Sequence, residues 1–423
     1  MSKKNVLVFP CGSEIALEVH RSLKQSIHFN LIGGSSVEDH GQFVFEQYIG
    51  DLPFFDDETF IDAIKEVVIN YKIDIIYPAM DALIATFKQN EERLGCLVVG
   101  SDASIAQLCL SKSQTYERLK NYIPTPKVYP SIEDIDTYPV FLKPDIGYGS
   151  RGVKKAHSAE EINNHQKQFG NLIISEFLPG KEYTVDCFSD IKGDLLFSGW
   201  RERSRIVNGI SVHTKTNPPA ERFDSIAREI NQQLQLKGAW FFQVKENKQG
   251  ELVLLEVACR LGGSSSVYRQ KGINFAYLSL YTCLGMPVSL LENDYQVEMD
   301  RALDAKYKAN IEFNTAYFDF DDTILLGDKI NIEVIAVIHK FLNENKRIVL
   351  ITRHLKDIQH SLHSLRIVAL FDEIIHLSKG EKKSDYIREK DSIFIDDSFA
   401  ERQEVYSIHK IPVFSPDMLQ IFN

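Results

Sequence analysis

The chain has 423 residues, of which 44% are hydrophobic and 25% are charged, and its formal net charge is -11. This length predicts two or three domains with sizeable cores, and the acidic balance argues against non-specific binding of nucleic acid. The six cysteines are scattered and form no C-x-x-C pair, which indicates buried thiols in a reducing compartment rather than a zinc site. The basic start is followed by only four apolar residues, and no run of about twenty apolar residues exists to cross a membrane. We therefore expect a cytoplasmic protein.

The first hundred residues alternate short apolar runs with helical segments. The apolar runs lie at residues 6–9, 28–32, 73–77 and 96–99. This alternation predicts a parallel, Rossmann-like α/β layer. Asp81 follows the third run, where ligands of such sheets usually bind, so it is a candidate substrate contact.

The segment 138–154 combines a strand with a glycine-rich loop. Lys143 ends an apolar run, and Gly147, Gly149 and Gly152 follow it. Glycines let backbone N–H groups approach one point closely, which suits phosphate oxygens. The spacing matches neither the Walker pattern nor a Rossmann fingerprint. On its own the segment is compatible with a phosphate loop or with a flexible surface hairpin.

Two apolar runs farther along the chain predict a β-hairpin. They lie at residues 240–244 and 252–257, and Asn, Gln and Gly between them supply the turn. Gln243 and Glu256 are expected to project from neighbouring strands toward one point. Side-chain oxygens held on rigid strands suit Mg²⁺.

Three features, in this order, resemble the ATP-grasp family, as in the carbamoyl-phosphate synthase large chain. The first is the Lys143 strand with its glycine loop, preceded by Lys112. The second is the segment 176–183, which contains a Pro-Gly turn. The third is Gln243 with Glu256 and Arg260. The resemblance implies a pre-ATP-grasp α/β domain at residues 1–100 and an ATP-grasp α+β domain at residues 101–312.

The resemblance implies an ATP-dependent ligase that joins a carboxylate to an amine through an acyl phosphate, with ATP and Mg²⁺ or Mn²⁺ as cofactors. Since members of the family are often dimers, it also points to a homodimer. It implies that ATP phosphates are bound by the ammonium groups of Lys112 and Lys143 and by the loop residues Gly149 and Ser150. It implies that adenine is bound by the backbone of Glu176, Phe177 and Leu178, and ribose by Glu182. Gln243 and Glu256 would hold the metal, and Arg260 would stabilise the transferred phosphoryl group.

One position departs from the family pattern. The family usually has Asn two residues after the glutamate, as a further metal ligand, whereas this chain has Ala258. A second Mg²⁺ would then depend on Glu256, Gln243 and phosphate oxygens, or on another residue.

Three arginines alternate along a short segment, at Arg201, Arg203 and Arg205. They form either a solvated strand face or a grip on the substrate carboxylate or acyl phosphate.

From about residue 314 the pattern predicts a second parallel sheet. Apolar runs at 315–318, 348–351 and 393–395 each end in polar residues, and helical segments separate them. The first run leads to Asp319, Asp321 and Asp322.

The order of these polar residues resembles the haloacid dehalogenase superfamily of phosphohydrolases. The resemblance implies a Rossmann-like domain at residues 313–423 without a large cap, because the intervals between motifs are short. It implies that Asp319 is the nucleophile, that Asp321 is the general acid and base, and that Thr352 binds the phosphoryl group. Asp396, with Asp319 and the Asp321 carbonyl, would hold Mg²⁺, with Asp397 assisting. The charge-neutralising lysine would be Lys383 in preference to Lys382, with Lys379 a weaker candidate.

The leading interpretation is a bifunctional enzyme acting on a small carboxylate, an amine and a phosphorylated small molecule, with no nucleic-acid or membrane partner. One alternative is a ligase whose carboxy-terminal domain only binds a phosphorylated ligand or has a structural role. Another is a nucleotide sensor without catalysis, which only Ala258 favours.

Overall fold

The computed structural model describes residues 3–147, 151–207, 210–303, 307 and 309–422. It divides into two compact units, Met1–Leu303 and Asp304–Asn423. The predicted domain boundaries at residues 100 and 312 stay predictions. Within the described residues, no helix is long and apolar enough to cross a membrane.

The first unit begins with a parallel five-stranded sheet in the order β3-β2-β1-β4-β5. Its strands are β1 Lys4–Phe9, β2 Phe29–Gly34, β3 Gln47–Ile49, β4 Ile75–Pro78 and β5 Leu97–Val98, and its helices are α1 Glu14–Leu23, α2 Phe60–Asn70, α3 Asp81–Gln89 and α4 Glu91–Leu94. A short 3₁₀ helix occupies His40–Phe43. This sheet confirms the predicted α/β layer.

The sheet is covered on both faces because successive strand residues point to opposite sides. Val6 and Val8 pack with Val19 of α1, whereas Leu7 packs with Ile64 of α2. The strand order reverses between β1 and β4, so the open edge at their carboxyl ends is where a ligand site is expected. Asp81 lies there as the first residue of α3.

A second, antiparallel sheet has the order β6-β9-β7-β8. Its strands are β6 Val128–Tyr129, β7 Val140–Lys143, β8 Lys154–Ala156 and β9 Ile173–Glu176, and the helices in this region are α5 Ala103–Leu110, α6 Lys112–Leu119 and α7 Ala159–Phe169, with a 3₁₀ helix at Ile132–Asp134. The glycine-rich segment connects β7 to β8. The hairpin therefore presents Lys143 at the point where its loop begins.

Two further sheets complete the first unit. Their strands are β10 Glu182–Ser189, β11 Leu195–Glu202, β12 Arg205–Val207, β13 Ile210–Lys215, β14 Gly238–Glu246, β15 Leu252–Ala258 and β16 Glu298–Asp300, and the helices are α8 Glu221–Leu234, α9 Ser266–Arg269 and α10 Phe275–Cys283. The larger sheet is antiparallel in the order β11-β10-β14-β15, and the smaller is β12-β13-β16. The predicted hairpin at 240–257 is β14 and β15. Phe223 and Ile230 of α8 pack on Val185 and Phe242 of the larger sheet.

The second unit is built on a parallel sheet in the order β21-β20-β17-β22-β23. The strands of this unit are β17 Thr315–Phe318, β18 Leu325–Leu326, β19 Lys329–Ile330, β20 Arg347–Thr352, β21 Glu373–His376, β22 Ser392–Ile395 and β23 Val413–Phe414, and the α-helices are α11 Ile332–Asn343, α12 Ile358–Ser364 and α13 Phe399–His409. Three 3₁₀ helices lie at Val368–Leu370, Lys383–Tyr386 and Pro416–Phe422.

The three predicted strands are the central ones, β17, β20 and β22. In the short interval between Thr323 and Ile348, a two-stranded hairpin of β18 and β19 precedes α11. Asp319, Thr352 and Asp396 all lie at the carboxyl ends of adjacent strands, so the sheet brings them to one edge.

Candidate active sites

Lys143 is a buried cation held between a helix and a strand. It ends β7, and its side chain is 6% exposed. Its ammonium donates a hydrogen bond to the Tyr116 hydroxyl, which in turn donates to the carbonyl of Leu255. Sequence reasoning missed Tyr116. Its position four residues after Lys112 puts both on one face of α6, and that spacing was a usable signal.

No carboxylate pairs with Lys143 or Lys112 within ion-pair distance among the residues the structure describes. The ammonium of Lys112 instead donates to the carbonyls of Asp145 and Gly147, at 3.2 and 3.4 Å. Burial, and secondly the nearby charge of Lys112, lower the pKa of Lys143 to about 8. The charges of Glu256 and Glu182 oppose this shift without pairing directly with the ammonium. A buried cation with no direct ion pair is costly, so this arrangement fits an anionic group such as a phosphate.

The start of the glycine loop is anchored to α6. Asp145 accepts hydrogen bonds from the Ser111 hydroxyl at 2.7 Å and from the backbone N–H of Ser113 at 2.8 Å. The predicted phosphate contacts Gly149 and Ser150 lie outside the described residues.

The segment predicted to bind adenine follows β9. Glu176 exchanges two hydrogen bonds with the backbone of Lys127, each 2.9 Å long. Lys155 places its ammonium 4.3 Å from the centre of the Phe177 ring, and Leu178 is buried. The backbone of this segment is thus held in a fixed, partly apolar setting.

Glu182, the predicted ribose contact, is the first residue of β10. Its carboxylate pairs with Arg203 at 3.2 Å and with Lys245 at 3.5 Å. Lys245 stands directly opposite Glu182 on β14, and the two cations together fix the carboxylate at the start of β10.

Gln243 and Glu256 stand directly opposite each other in the β14–β15 ladder. Opposite residues in antiparallel strands have side chains about 5 Å apart. In the part of the chain that the structure describes, no cation pairs with the half-buried Glu256 carboxylate. An amide oxygen and a free carboxylate on rigid strands are a suitable set for Mg²⁺. Ala258 faces Phe241 and offers no ligand.

Arg260 is paired with Asp81, 179 residues earlier. The Nε and Nη2 atoms of the arginine lie 2.9 and 2.8 Å from one Asp81 oxygen. The two residues predicted separately, one for the phosphoryl group and one for substrate, therefore lie together. Nothing in the sequence signals this long-range pair.

The three alternating arginines occupy three different environments. Arg201 is 2% exposed and makes an ion pair with Asp186 at 2.6 Å. Its guanidinium also donates to the Ser264 hydroxyl. Arg203 contacts Glu182, and Arg205 pairs with Asp300 at the surface. For Arg201 the expectation of a solvated strand face is wrong, because its side chain is completely enclosed.

The second unit places one lysine between two buried carboxylates. The Lys383 ammonium lies 2.7 Å from an oxygen of Asp319 and 2.6 Å from an oxygen of Asp396. Asp319 directly follows β17, and Asp396 directly follows β22. By contrast Lys382 pairs with Glu404 at the surface, and Lys379 is exposed.

Side-chain oxygens of Asp319, Asp396 and Asp397 lie within 4.8 Å of one another. Burial raises the pKa of Asp319 to about 7; Lys383 opposes this shift and the Asp396 charge adds to it. Burial also raises the pKa of Asp396. Three carboxylates that one ammonium does not fully neutralise fit a divalent cation.

Asp321 stands at the rim of this cluster, with its side chain 48% exposed. Both of its oxygens lie near Nδ1 of His354, at 2.9 and 3.1 Å. Thr352 is buried at the end of β20, and its hydroxyl accepts from the backbone N–H of His354. Sequence reasoning missed His354, whose position two residues after Thr352 was the available signal.

Residues 168–311 match a family model described as ATP-grasp in the biosynthetic pathway with Ter operon. A D-alanine–D-alanine ligase of Thermotoga petrophila is 29% identical over 167 residues, which are 36% of this chain and 55% of that protein. The chain thus spans about half the length of the curated relatives it matches.

Two solved structures extend the comparison. The biotin carboxylase domain dimer of Hydrogenobacter thermophilus 2-oxoglutarate carboxylase, in complex with MgADP and bicarbonate, is 17% identical with a TM-score of 0.58, covering 70% of this chain and 72% of that one. An L-amino acid ligase from Bacillus licheniformis is 18% identical with a TM-score of 0.54, covering 69% of this chain and 76% of that one. These matches support the ATP-grasp fold predicted from the sequence. The haloacid dehalogenase-like fold stays a prediction.

Replacing Arg201 with Met should destabilise the first unit strongly. The substitution leaves the buried Asp186 carboxylate without its partner, which costs about 3–5 kcal/mol of unfolding free energy. Both tryptophans of the chain, Trp200 and Trp240, lie in this unit, so their fluorescence during urea unfolding follows it.

Arg205→Met is the matched control. Arg205 and Asp300 are more than half exposed, so this variant should lose less than about 1 kcal/mol. Similar small losses for the two variants would contradict a structural role for the buried pair.

Proposed function

We propose that the chain is a bifunctional enzyme. Its ligase activity joins a carboxylate to an amine at the cost of ATP, and its phosphatase activity removes a phosphate from the substrate or product. The ligase activity is supported by the buried ammonium of Lys143, which has no carboxylate partner among the described residues, in an ATP-grasp fold. The phosphatase activity is supported by the Lys383 ammonium between Asp319 and Asp396.

In the proposed ligase site, the nucleotide lies between the glycine loop and the larger antiparallel sheet. Lys112 and Lys143 neutralise its phosphates, Gly149 and Ser150 cover them, the backbone of 176–178 binds adenine, and Glu182 binds ribose. Gln243 and Glu256 hold Mg²⁺, which supplies further neutralisation of phosphate charge. The D-alanine–D-alanine ligase relative and the MgADP complex of the biotin carboxylase domain support this assignment.

The ligase reaction has two steps. An oxygen of the substrate carboxylate attacks the γ-phosphorus of ATP, the bond to the bridging oxygen breaks, and ADP leaves. The amine nitrogen then attacks the acyl carbon, phosphate departs, and the nitrogen loses a proton. Arg260, oriented by Asp81, offsets the charge on the transferred phosphoryl group, and Lys143 adds a second positive charge.

In the proposed phosphatase site, Asp319 forms a bond to phosphorus while the bond to the leaving oxygen breaks. Asp321 gives a proton to that oxygen and later takes one from the water that hydrolyses the aspartyl phosphate. The Thr352 hydroxyl donates to the phosphoryl group, and Lys383 neutralises it. Asp319, Asp396 and the Asp321 carbonyl hold Mg²⁺ or Mn²⁺, with Asp397 assisting.

The fusion suggests consecutive steps, such as coupling a phosphorylated amino alcohol and then dephosphorylating the product. The competing proposal is a carboxy-terminal unit that only binds a phosphorylated ligand. A homodimer and a cytoplasmic location stay expectations from the sequence.

Lys143→Met should reduce ligase turnover by about 10²-fold. The variant removes an ammonium that neutralises phosphate charge in the transition state. The measurement is ADP release that depends on both a carboxylate and an amine, with substrates found by screening and products identified by mass spectrometry. Lys120→Met, on the surface near α6, is the control and should retain full turnover. Full turnover by Lys143→Met would refute the site assignment.

Nucleotide binding should weaken as the pH rises above about 8. Lys143 is charged below its pKa of about 8 and neutral above it, and only the charged form attracts phosphate. The dissociation constant of MgATP should therefore rise by up to about tenfold per pH unit between pH 8 and 9.5. Titration calorimetry measures this. Lys143→Met should bind more weakly but with a flat profile, and an equally steep profile in that variant would assign the effect elsewhere.

Asp319→Asn should abolish phosphatase activity, by about 10³-fold or more, because an amide oxygen is a poor nucleophile. A panel of phosphate esters reports the activity, and ADP release in the same preparation shows that the ligase is intact. Asp322→Asn, at an exposed neighbour with φ 54° that Asn tolerates, is the control. Absence of phosphatase activity in the unmodified chain across the panel would favour the ligand-binding alternative.

A further inference from the structure

We propose that His354 is a positioning residue for Asp321. In this proposal a relay from Ser361 through His354 orients the Asp321 carboxylate toward the leaving-group oxygen. The inference rests on the proposed phosphatase function and adds to it a residue outside the motif set.

Both ring nitrogens of His354 are engaged. Nδ1 faces the two oxygens of Asp321, at 2.9 and 3.1 Å, and Nε2 lies 3.1 Å from the Ser361 hydroxyl oxygen. That hydroxyl donates its own proton to the carbonyl of Asp357, at 3.0 Å. Ser361 can therefore accept from Nε2–H, and the ring is held at both of its nitrogens.

The ring itself is firmly held. His354 is 9% exposed in its side chain, against 48% for Asp321. Its backbone N–H donates to Thr352, its carbonyl accepts from His376 at 2.7 Å, and Phe320 packs against it with ring centres 4.9 Å apart. A fixed imidazole therefore hydrogen-bonds a carboxylate that remains accessible to a substrate.

Among the described residues, His354 is the sole side chain that hydrogen-bonds the Asp321 carboxylate. An exposed aspartate without such a partner samples several rotamers, and misplacement of a catalytic group by about 1 Å can cost 10²-fold in rate. The histidine is thus positioned to limit this sampling. A purely structural role, in which the pair only ties two loops together, makes a different prediction.

The two roles differ in how they respond to the leaving group. When an alkyl phosphate is cleaved, the bond from phosphorus to the alkoxide oxygen breaks as the bond to Asp319 forms, and the alkoxide takes the proton from Asp321. A p-nitrophenolate leaves as a stable anion and needs no proton. In this first step, loss of a positioned acid therefore affects alkyl esters selectively, whereas loss of structure affects both substrates equally.

The experiment compares the full-length chain and its His354→Ala variant on an alkyl phosphate and on p-nitrophenyl phosphate. We expect kcat/KM for the alkyl ester, which reports phosphoryl transfer to Asp319, to fall by about 10²-fold, and kcat/KM for p-nitrophenyl phosphate to fall by less than about fivefold. The comparison uses kcat/KM because kcat also includes hydrolysis of the aspartyl phosphate, a step in which Asp321 acts on both substrates alike. His354→Asn, which keeps a donor near the Nδ1 position, should recover part of the alkyl phosphatase rate. His360→Ala, at an exposed position of α12, is the matched control and should resemble the unmodified chain.

Equal losses on the two substrates, or no loss on either, would overturn the role of His354. If His354→Ala unfolds in a thermal melt, Ser361→Ala carries the same test, with a smaller but still selective loss on the alkyl ester. Failure of the proposed phosphatase function itself gives a different result. In that case the unmodified chain hydrolyses neither ester beyond the level of Asp319→Asn, and both the phosphatase proposal and this inference fall.

Discussion

Each unit buries a lysine ammonium, and the two lysines differ in their direct partners. Lys143 has no carboxylate partner among the described residues, whereas Lys383 lies between Asp319 and Asp396. The pKa values move accordingly. Burial and the charge of Lys112 lower the pKa of Lys143, while for Lys383 the two carboxylates outweigh burial and raise it. Lys143 therefore suits an anionic partner such as a phosphate, whereas the carboxylates around Lys383 outnumber it and suit a divalent cation.

The backbone explains why these charges are tolerated. Lys143 ends β7, and Asp319 and Asp396 directly follow β17 and β22, so buried apolar residues of a strand anchor the chain just before each of these side chains. Val140 and Leu142 are fully buried ahead of Lys143, and Phe318 is fully buried ahead of Asp319. Free energy gained by packing the strand offsets the cost of enclosing the charge. The sites thus depend on the same hydrophobic runs that made the strands predictable.

This dependence sets how much could be predicted from the sequence. Lys143, Gln243 and Asp319 were identifiable because each follows or lies within a local pattern of a few residues. The pairs that complete the sites were not, since Asp81–Arg260 and His354–Asp321 join residues that only the tertiary fold brings together. The burial of Arg201 was missed for the same reason. Alternation along residues 201–205 groups the three arginines in the sequence, but only Arg201 lies in β11, and its enclosure by Asp186 and Ser264 is a property of the folded unit.

Because of Ala258, the two proposed metal sites differ in the number of ligands that the protein supplies. It is 7% exposed and faces Phe241, so the end of β15 is apolar where a third ligand would otherwise stand. The first site is left with one carboxylate, Glu256, and one amide, Gln243, which is a weak set for Mg²⁺ without phosphate oxygens. The second site gathers three carboxylates without any substrate. Metal binding in the first site should therefore require the nucleotide. In the second site the metal should bind before the phosphate ester does, because in that site the protein itself supplies most of the negative charge.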